Sequence, residues 1–434
     1  MEWWLAGLLL FSGLILFLAS GVPVAFSLAF VSIISMFLLW GFDGLMLLAT
    51  TAYSSNVQFM LIAIPLFIFM GECIAISGIG DDAFKMIDAW IGFLPGGIAV
   101  TSVGACTVFG AVTGFSPATI AALGPVTIPE MLRRGYDKKF AVGAIATGAG
   151  IAIIIPPSIL MVVYGFLAEV SIGKLFYGGV FPGLILSGVI IISIIIRAGL
   201  NPKLAPYRKK STWMERIKLS VYISPFLGLI ILVLGTIWGG IATPTEAAAL
   251  GAAGGIILLM IYRRLNWKTF KRMLITTVRV NCMVMFILIG ATLFTQILAY
   301  TGFTANLAKW VISFAVSRWL VLAAIMLAIF FFGCLMDAGS ILFITMPVFL
   351  PIVKGIGFDL LWFGIVVLLN LEIATITPPV GLNLYVLKGI APLGVTLNDI
   401  IRGSAPYFLI DATALIFIVL FPSTVTWLPN LLIK

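Results

Sequence analysis

The chain has 434 residues, of which 62% are hydrophobic and only 9% are charged, and its mean hydropathy is +1.22. Ordinary soluble domains carry about 25% charged residues, so this composition excludes a soluble globular protein and requires a lipid environment. The net charge of +9 does not indicate a nucleic-acid-binding protein, because Lys and Arg lie in loops between apolar stretches, as the positive-inside bias of membrane proteins predicts.

Apolar stretches close to the roughly 20 residues that a helix needs to cross a bilayer recur along the chain. In chain order they include residues 3 to 20, 22 to 40, 57 to 78, 96 to 112, 176 to 197, 245 to 262, 279 to 300 and 318 to 336. These runs lack the apolar-polar alternation of β-barrel strands. The sequence therefore predicts an all-α, polytopic membrane protein that lies in the lipid bilayer and retains its first span.

Sliding the sequence against itself by 222 residues reveals an internal repeat. Without a gap, the shift aligns Pro125 with Pro347, Pro129 with Pro351, Gly135 with Gly357, and Pro156-Pro157 with Pro378-Pro379. Five matched prolines or glycines in one register are difficult to obtain by chance. We therefore expect two related halves, residues 1–222 and 223–434.

Each half carries a short polar-tipped segment, and a span with two successive prolines follows it. The short segments, residues 113–130 and 337–353, are expected to fold back on themselves as re-entrant hairpins, which survive at membrane depth only where they are buried or line a cavity. Two prolines remove backbone donors and clash with the preceding turn. Residues 139–168 and 361–390 are therefore expected to form broken helices.

The loops after the two hairpins differ in charge. Residues 133–139 include four basic residues, whereas residues 354–359 include one. The positive-inside rule then makes the first loop cytoplasmic and the second external, which predicts an inverted repeat, the arrangement used for alternating access. Six candidate crossings lie between these loops, but inversion requires an odd number, so one candidate must lie along the interface or break.

The hairpin tips and the helix breaks supply oxygen atoms in pairs. In the first half, the hydroxyls of Thr113 and Ser116 and the carbonyls freed at Ala152, Ile155 and Pro156 predict a neutral oxygen cage that suits a sodium ion, as unwound helices do in other secondary transporters. This set is called the first cage below.

The second half has a matching set, called the second cage below. Its members are Gly333, Ala374, Thr377 and Val380. Two sodium ions are therefore expected, and no organic cofactor.

Polar residues of both halves are expected to converge near the midplane and to hold an anion. Hydroxyl and amide donors and helix N-terminal dipoles supply the attraction. The substrate candidates are Ser116, Ser158, Ser340 and Asn383, with Asp337 beside the second hairpin. The alternative for each hydroxyl is an ordinary hydrogen bond to a backbone carbonyl or a neighbouring helix.

Several carboxylates lie in apolar context, where an acid is a functional candidate by default. They are Glu72, Glu169, Glu246, Asp337, Glu372 and Asp411. Glu246 lies three residues after Thr243 and is better explained as part of a helix start. The chain has no histidine, and none of these acids has an acid at the equivalent position of the other half, which favours sodium coupling over proton coupling.

The missing histidine also excludes Ser-His and Cys-His catalysis. In addition, the sequence has no GxxxxGK[ST] phosphate loop. We therefore expect that this chain is not an enzyme and does not itself use ATP.

At these residues the chain resembles the large membrane subunit of the tripartite ATP-independent periplasmic (TRAP) transporters. The resemblance lies in IPLFIFMG (64–71), PEMLRRGYDK (129–138), IIPPSI (154–159), GGIATPTEAAA (239–249) and ITPPVGLNLY (376–385). It implies an elevator mechanism, in which a transport domain with the hairpins and broken helices slides against a scaffold. A small four-helix membrane subunit would stiffen that scaffold.

The resemblance also implies a periplasmic binding protein that delivers a small organic anion, such as sialic acid or a C4 dicarboxylate. Sodium influx would drive the uptake across the bacterial inner membrane. The family's sodium positions, carried over residue by residue, are those of the first and second cages.

The chain departs from the family pattern at three places. Residues 113–116 read Thr-Gly-Phe-Ser where Ser-Gly-Ser-Ser is common, and Ala152 and Ala374 stand where glycine is common. Phe115 and Pro117 are expected to reshape the anion pocket. Alternatives to a sodium-driven subunit are a proton-coupled transporter of the same architecture, a channel, and an ATP-driven permease subunit.

Overall fold

The computed structural model describes residues 2–206, 211–314 and 316–432, and within these ranges it contains helices and no β-strand. The ends of the two predicted halves at residues 1, 433 and 434 lie outside this part. Seven of the described helices are long and apolar enough to cross a membrane, or eight if one bent pair forms a single span. The predicted all-α, polytopic membrane fold is therefore confirmed.

In the first half, the long second helix extends well beyond the predicted span 22 to 40. It continues through a kink at Gly41, where φ is 63°, a conformation that glycine adopts without a steric cost. In chain order the helices are α1 (Trp3–Ala19), α2 (Val24–Asn56), α3 (Ala63–Ser77), α4 (Ile79–Ile91), α5 (Gly97–Thr113), α6 (Ser116–Arg133), α7 (Lys138–Gly150), α8 (Ile159–Ala168), α9 (Ile172–Leu200) and α10 (Trp213–Tyr222), with 3-10 turns at Phe59–Ile62 and Ile151–Ile153.

The second half repeats this order with different helix lengths. Its helices are α11 (Ser224–Trp238), α12 (Pro244–Ile261), α13 (Trp267–Tyr300), α14 (Phe303–Ser313), α15 (Arg318–Gly333), α16 (Ala338–Gly355), α17 (Leu360–Thr375), α18 (Leu382–Ile390), α19 (Leu397–Leu420) and α20 (Ser423–Leu432). Helices α16 and α17 begin 222 residues after α6 and α7, which is the spacing of the sequence repeat.

The starts of α7 and α17 are built in the same way. Asp137 accepts a hydrogen bond from the backbone N–H of Phe140 at 2.9 Å. Asp359 accepts the equivalent bond from Trp362 at 2.8 Å. Each carboxylate satisfies an N–H group that the first turn of a helix leaves without an intrahelical partner.

The start of α12 confirms the local interpretation of Glu246. The Glu246 N–H donates to Thr243 Oγ1 at 3.3 Å, and the Glu246 carboxylate accepts from the Thr243 N–H at 2.8 Å. This reciprocal capping box stabilises a helix N-terminus, so the acid has a structural role at this position.

The predicted fold-back within residues 113–130 is wrong. Residues Ser116–Arg133 form one helix, and the turn lies before it, at Gly114 and Phe115. The physical reason is that Gly114, with φ of 59°, supplies the turn, while Pro117 suits the first turn of a helix. The hairpin is therefore the pair α5 and α6, which pack against each other.

The second short segment shows the same deviation. Most of residues 337–353 lies in the single helix α16, and Asp337 is its N-cap residue. The turn precedes it, and α15 supplies the other arm of the hairpin. In both halves a segment of 17 or 18 residues makes one arm, because the preceding apolar span is the second arm.

Both helices with paired prolines are interrupted, as expected. The first break separates the end of α7 at Gly150 from the start of α8 at Ile159, and the second separates Thr375 from Leu382. The peptide bonds Pro156-Pro157 and Pro378-Pro379 are cis. The predicted limits of the broken helices, 139–168 and 361–390, agree with these helices to within one residue.

The helices pack in two groups. In one, the long α13 contacts α2 and α3, and α12 contacts α3 and α11. In the other, α7 contacts α5, α6 and α19, while α17 contacts α15 and α19. Within this second group the halves cross over, because α6 packs on α18 and α16 packs on α8, so that each hairpin touches the broken helix of the other half.

Candidate functional site

The tip of the first hairpin lies against the first break. The Ile159 N–H donates to the Gly114 carbonyl at 3.3 Å. A Cβ atom added to Gly114 would lie 2.7 Å from the Pro157 carbonyl oxygen, closer than real Cβ contacts allow. Glycine at this tip therefore permits the two backbones to meet.

The hydroxyl residues of the first cage lie beside this contact. Thr113 Oγ1 shares a hydrogen bond with Thr119 Oγ1 at 2.8 Å, whereas Ser116 Oγ is buried without a hydrogen-bond partner among the described residues. A buried hydroxyl without a partner is costly, so Ser116 retains an oxygen for a ligand.

The carbonyl ligands of the first cage are buried in the break. The N–H groups of Ile154 and Ile155 both donate to the Ile151 carbonyl at 3.0 Å. Ala152 faces α5, because a Cβ atom added to Gly110 would lie 2.9 Å from the Ala152 Cα. The structure thus places Thr113, Ser116 and Ala152 where α5, α6 and the break meet, whereas Ile155 and Pro156 lie farther along the break.

The second cage has the same construction. The Cys334 carbonyl accepts from the N–H groups of Val380 at 3.0 Å and Gly381 at 3.3 Å, which joins the second tip to the second break. A Cβ atom added to Gly333 would collide with the Ala374 Cβ. In the first half, a Cβ atom added to Gly110 would collide with Ala152 in the same way. Thr377 Oγ1 donates to the Ile373 carbonyl at 2.7 Å, which leaves its lone pairs available to a cation.

Ser158 and Asn383, two of the residues proposed for the anion, have local partners. Ser158 Oγ donates to the Ile153 carbonyl at 2.7 Å. Asn383 Nδ2 donates to Thr375 Oγ1 at 3.0 Å, but Asn383 Oδ1 is buried without a partner in the described chain. Each of the two side chains therefore forms a hydrogen bond across its own break.

Asp337 and Ser340 form a helix cap. Asp337 accepts hydrogen bonds from the Ser340 N–H at 3.0 Å and from Ser340 Oγ at 2.5 Å. This geometry satisfies the first turn of α16. The cap is a sufficient structural reason for an acid and a serine at this tip, and substrate binding is not needed to explain them. Asp337 also borders open space.

Asp337 lines two cavities, one of about 710 Å³ and one of about 510 Å³. The smaller cavity is bounded by both hairpins, both broken helices, α3 and α13. Its wall includes Thr113, Phe115, Pro117, Ala118, Ile159, Leu160, Asp337, Gly339, Phe343, Leu382 and, from α3 and α13, Gly71, Glu72, Val280, Met283, Val284 and Ile287. Elements of both halves therefore converge, as the sequence predicts.

The predicted substrate residues differ in whether they line these cavities. Asp337 lines both cavities. Ser116, Ser158, Ser340 and Asn383 are buried and do not line either cavity, so contact with a carried molecule stays a prediction for them. Phe115 and Pro117 line the smaller cavity, where the sequence expected them to shape the pocket.

Glu72, one of the acids to which the sequence alone gives no role, lines the smaller cavity. It follows Gly71, whose added Cβ atom would lie 3.4 Å from the Thr113 Cα. The signal in the sequence is a single carboxylate in an apolar span, but nothing local indicates that α3 packs beside the first hairpin tip.

The wall of the smaller cavity combines acidic side chains with helix N-termini. The charged side chains in its described wall are Glu72 and Asp337, and both are acidic. Acidic walls and free oxygens attract cations. Four helix N-termini, those of α6, α8, α16 and α18, also begin at this wall, and helix N-termini favour anions.

Comparisons with known proteins agree with this architecture. The family model described as tripartite ATP-independent periplasmic transporter, DctM component, matches residues 11–424. The chain is 35% identical over 400 residues to the C4-dicarboxylate TRAP transporter large permease protein DctM of Pseudomonas aeruginosa, and the match covers 91% of each chain.

A relative with a different name and a solved structure extend the comparison. The chain is 31% identical over 430 residues to the ectoine TRAP transporter large permease protein TeaC of Halomonas elongata, covering 95% of this chain and 96% of that protein. The fold is similar to that of the YdaH transporter of Alcanivorax borkumensis, with a TM-score of 0.63 and 14% identity over 89% of this chain and 91% of that chain.

The low identity to YdaH supports a shared fold and nothing further. The family match, by contrast, extends over nearly the whole chain and includes the hairpins, the breaks and the cavity wall described above. The chain is a multi-pass membrane protein that belongs to the DctM family, the large permease components of tripartite ATP-independent periplasmic transporters.

Proposed function

We propose that this permease is a sodium-coupled secondary transporter subunit that imports a small organic anion by an elevator movement. The observation that carries the proposal is the meeting of each hairpin tip with a proline-broken helix, once per half, beside one cavity of about 510 Å³. Broken helices of this kind form substrate and ion sites near the midplane of secondary transporters.

The chemistry of the wall supports sodium coupling. A carried anion would meet Glu72 and Asp337, both of which line the cavity and would repel a negative charge. Cations bound in the first and second cages would offset that repulsion. Cation and anion binding would then depend on each other, which is the requirement for coupled transport.

The helix order supports an inverted repeat. Between the loops at residues 134–137 and 356–359, α7 with α8 counts as one broken crossing, and α9, α11, α12 and α13 count as four more. The amphipathic α10 and α14 are short, and α15 with α16 returns to its own side as a hairpin. The resulting five crossings are odd in number, as an inverted repeat requires.

An elevator movement would use the two packing groups. The hairpins and broken helices form one group around α7 and α17, and α2, α3, α12 and α13 form the other. The cavity wall takes residues from both groups. We propose that the group around α7 and α17 moves relative to the group of α2, α3, α12 and α13 and carries the cavity contents across the bilayer.

The family description, a tripartite transporter, implies two further components. We propose a small four-helix membrane subunit against the scaffold helices and a periplasmic binding protein that delivers the substrate. Such an assembly would sit in the bacterial inner membrane.

For the substrate, we propose a small carboxylate, such as a C4 dicarboxylate or sialic acid. The names of the two relatives given above mention C4-dicarboxylate and ectoine. Both compounds therefore belong in a first panel, with sialic acid.

The test is uptake into proteoliposomes that contain this chain, its small partner and the binding protein. We expect accumulation that disappears when external sodium is replaced by potassium and that needs no internal ATP. Uptake that follows an imposed pH gradient without sodium would instead establish proton coupling. A requirement for internal ATP would contradict the whole proposal.

The second cage has its own test in Thr377→Val, which keeps the side-chain volume and removes one oxygen. We expect the sodium concentration for half-maximal uptake to rise at least about tenfold, the change produced by a loss of about 1.4 kcal/mol in binding. Thr413→Val is the matched control, because exposed Thr413 also donates to a helix carbonyl, that of Ile410, at 2.6 Å. Unchanged sodium dependence in Thr377→Val would remove this residue from the site.

A further inference from the structure

Two carboxylates are buried in the group of helices around α7 and α17, outside both cages. Glu372 on α17 and Asp411 on α19 each have 0% exposed surface. None of their four carboxylate oxygens has a hydrogen-bond partner in the described residues. The two groups interact electrostatically with each other, so two negative charges would face one another when both carboxylates are ionised.

This acid pair lies between the two breaks. Glu372 follows Gly150 by 222 residues, so the two positions are equivalent in the repeat, and they touch each other. A Cβ atom added to Gly150 would lie 2.7 Å from the Glu372 carboxyl carbon. The carboxylate therefore sits where the two halves of the molecule meet, two residues before Ala374 and against the end of α7.

A third polar group is directed at the same place. Thr147 has 0% exposed surface, and its hydroxyl also has no partner among the described residues. One turn earlier on the same helix face, Gly143 contacts Tyr407 of α19, and one turn later Gly150 contacts Glu372. Since residues at i, i+4 and i+7 share a helix face, Thr147 points between α19 and α17, toward the acid pair.

The charges around the acid pair indicate what kind of partner the two carboxylates lack. One turn from Asp411 on α19, Tyr407 interacts electrostatically with both Asp411 and Arg197. The Arg197 guanidinium stacks on the Tyr407 ring with its carbon 5.1 Å from the ring centroid, and its Nη1 has no partner in the described chain. When both carboxylates are ionised, they and the guanidinium leave one negative charge, which a low-dielectric interior does not tolerate unless a proton or a cation offsets it.

We propose that Glu372, Asp411 and Thr147 bind a third monovalent cation, sodium, between the two cages. Carboxylate and hydroxyl oxygens are the ligands that a hard cation prefers, and one bound positive charge would balance the cluster. The inference rests on the sodium coupling proposed above and adds a site that contains carboxylates. This site would cross the membrane with the moving group, so the cluster would be electrically neutral during the movement.

The experiment is equilibrium binding of ²²Na⁺ to the purified permease with its small membrane subunit. We expect Asp411→Asn and Glu372→Gln to lower the sodium bound at saturation by about one ion per chain, because each variant removes a charge needed to hold it. Thr147→Val should weaken the same site without abolishing it. Asp81→Asn, at an exposed carboxylate on α4, is the matched control and should bind as the unmodified protein does.

Each result has a defined meaning. If the unmodified protein binds sodium and both acid variants bind the same amount with the same affinity, the third site is excluded while the proposed function stands. If the unmodified protein binds no sodium, the proposed function fails as well. If the variants change the pH dependence of uptake but not the bound sodium, the pair holds a proton and this proposal is overturned.

Protein folding is checked independently. Elution of each variant as a single species, together with the unmodified melting temperature, separates loss of an ion from loss of structure. Thr147→Val carries no change of charge, so a lower sodium affinity in this variant supports the site even if an acid variant is unstable.

Discussion

The two helix breaks have the same construction but different surroundings. In the first break, every residue from Ile151 to Leu160 is buried, whereas Pro378, Pro379 and Val380 in the second are exposed. The equivalent positions Ser158 and Val380, 222 residues apart, have 0% and 38% exposed surface. A shared sequence pattern therefore produces one closed site and one open site.

The neighbouring helices explain the difference. A Cβ atom added to Gly179 of α9 would overlap the Ile154 carbonyl oxygen, and one added to Gly183 would overlap the Ile155 side chain, so α9 lies directly over the first break. The second break instead borders the cavity of about 710 Å³, whose far wall is the linker between α1 and α2. In this conformation, ions are expected to reach the second cage more readily than the first.

The largest expected effect concerns the closure of the first break by α9. Gly179→Ala introduces a methyl group where the Ile154 carbonyl already lies, and overpacking of this kind lowers the free energy of unfolding by about 2–3 kcal/mol. Gly188→Ala is the control on the same helix, because nothing lies within 4 Å of its added Cβ atom. Denaturant unfolding in detergent measures both, and equal stability of the two variants would refute the close contact.

Substitution of one serine in each hairpin compares a hydroxyl with a structural role and a hydroxyl that is predicted to bind an ion. Ser340→Ala removes the hydrogen bond to Asp337 and should cost about 2 kcal/mol of folding free energy. Ser116→Ala removes a hydroxyl without a partner, so the stability without sodium should stay within about 0.5 kcal/mol. The rise in melting temperature on adding sodium should, however, shrink in Ser116→Ala. A sodium-dependent rise equal to that of the unmodified protein would leave Ser116 outside the first cage.

Cysteine labelling compares access to the two breaks. In a Cys282→Ser background, which removes the exposed native thiol, Val380→Cys should react with a water-soluble thiol reagent at least about ten times faster than Ser158→Cys, because reaction requires an accessible thiolate. Stopped-time mass spectrometry gives both rates. Equal rates would mean that the first break opens as readily as the second.

The smallest expected effect concerns the two N-cap aspartates, a feature that both halves share. Asp137→Ala and Asp359→Ala each remove an N-cap carboxylate and should each lower the free energy of unfolding by about 1 kcal/mol. The double variant should show the sum of the two losses, since the caps belong to different helices and distant sites are additive. Thermal melts of the three variants measure this, and a much larger loss at one cap would show that it has a further role.

Local sequence features predicted much of the fold because each depends on neighbours in the chain. The apolar spans, the breaks at both proline pairs, the capping box of Glu246 and the repeat spacing all followed from the residues themselves. The hairpins were located but their arms were misassigned, since the sequence does not state whether residues 113–130 turn within themselves or pair with the preceding span. The glycine with positive φ at position 114 decides that question.

Contacts between distant segments were beyond the sequence. Glu72 reaches the cavity because α3 packs beside the first hairpin, and Glu372 meets Asp411 because α17 packs on α19. No periodicity connects such pairs, since their distance depends on how every intervening helix is placed.

The amino-acid sequence by itself determined the lipid environment, the helices and the two proline breaks, because hydropathy and backbone chemistry act over a few residues. Only the tertiary structure decided which break is covered by α9, which acids line a cavity and which lie buried together. Those features arise from helix packing across hundreds of residues, where small side chains such as Gly179 set how closely two helices approach.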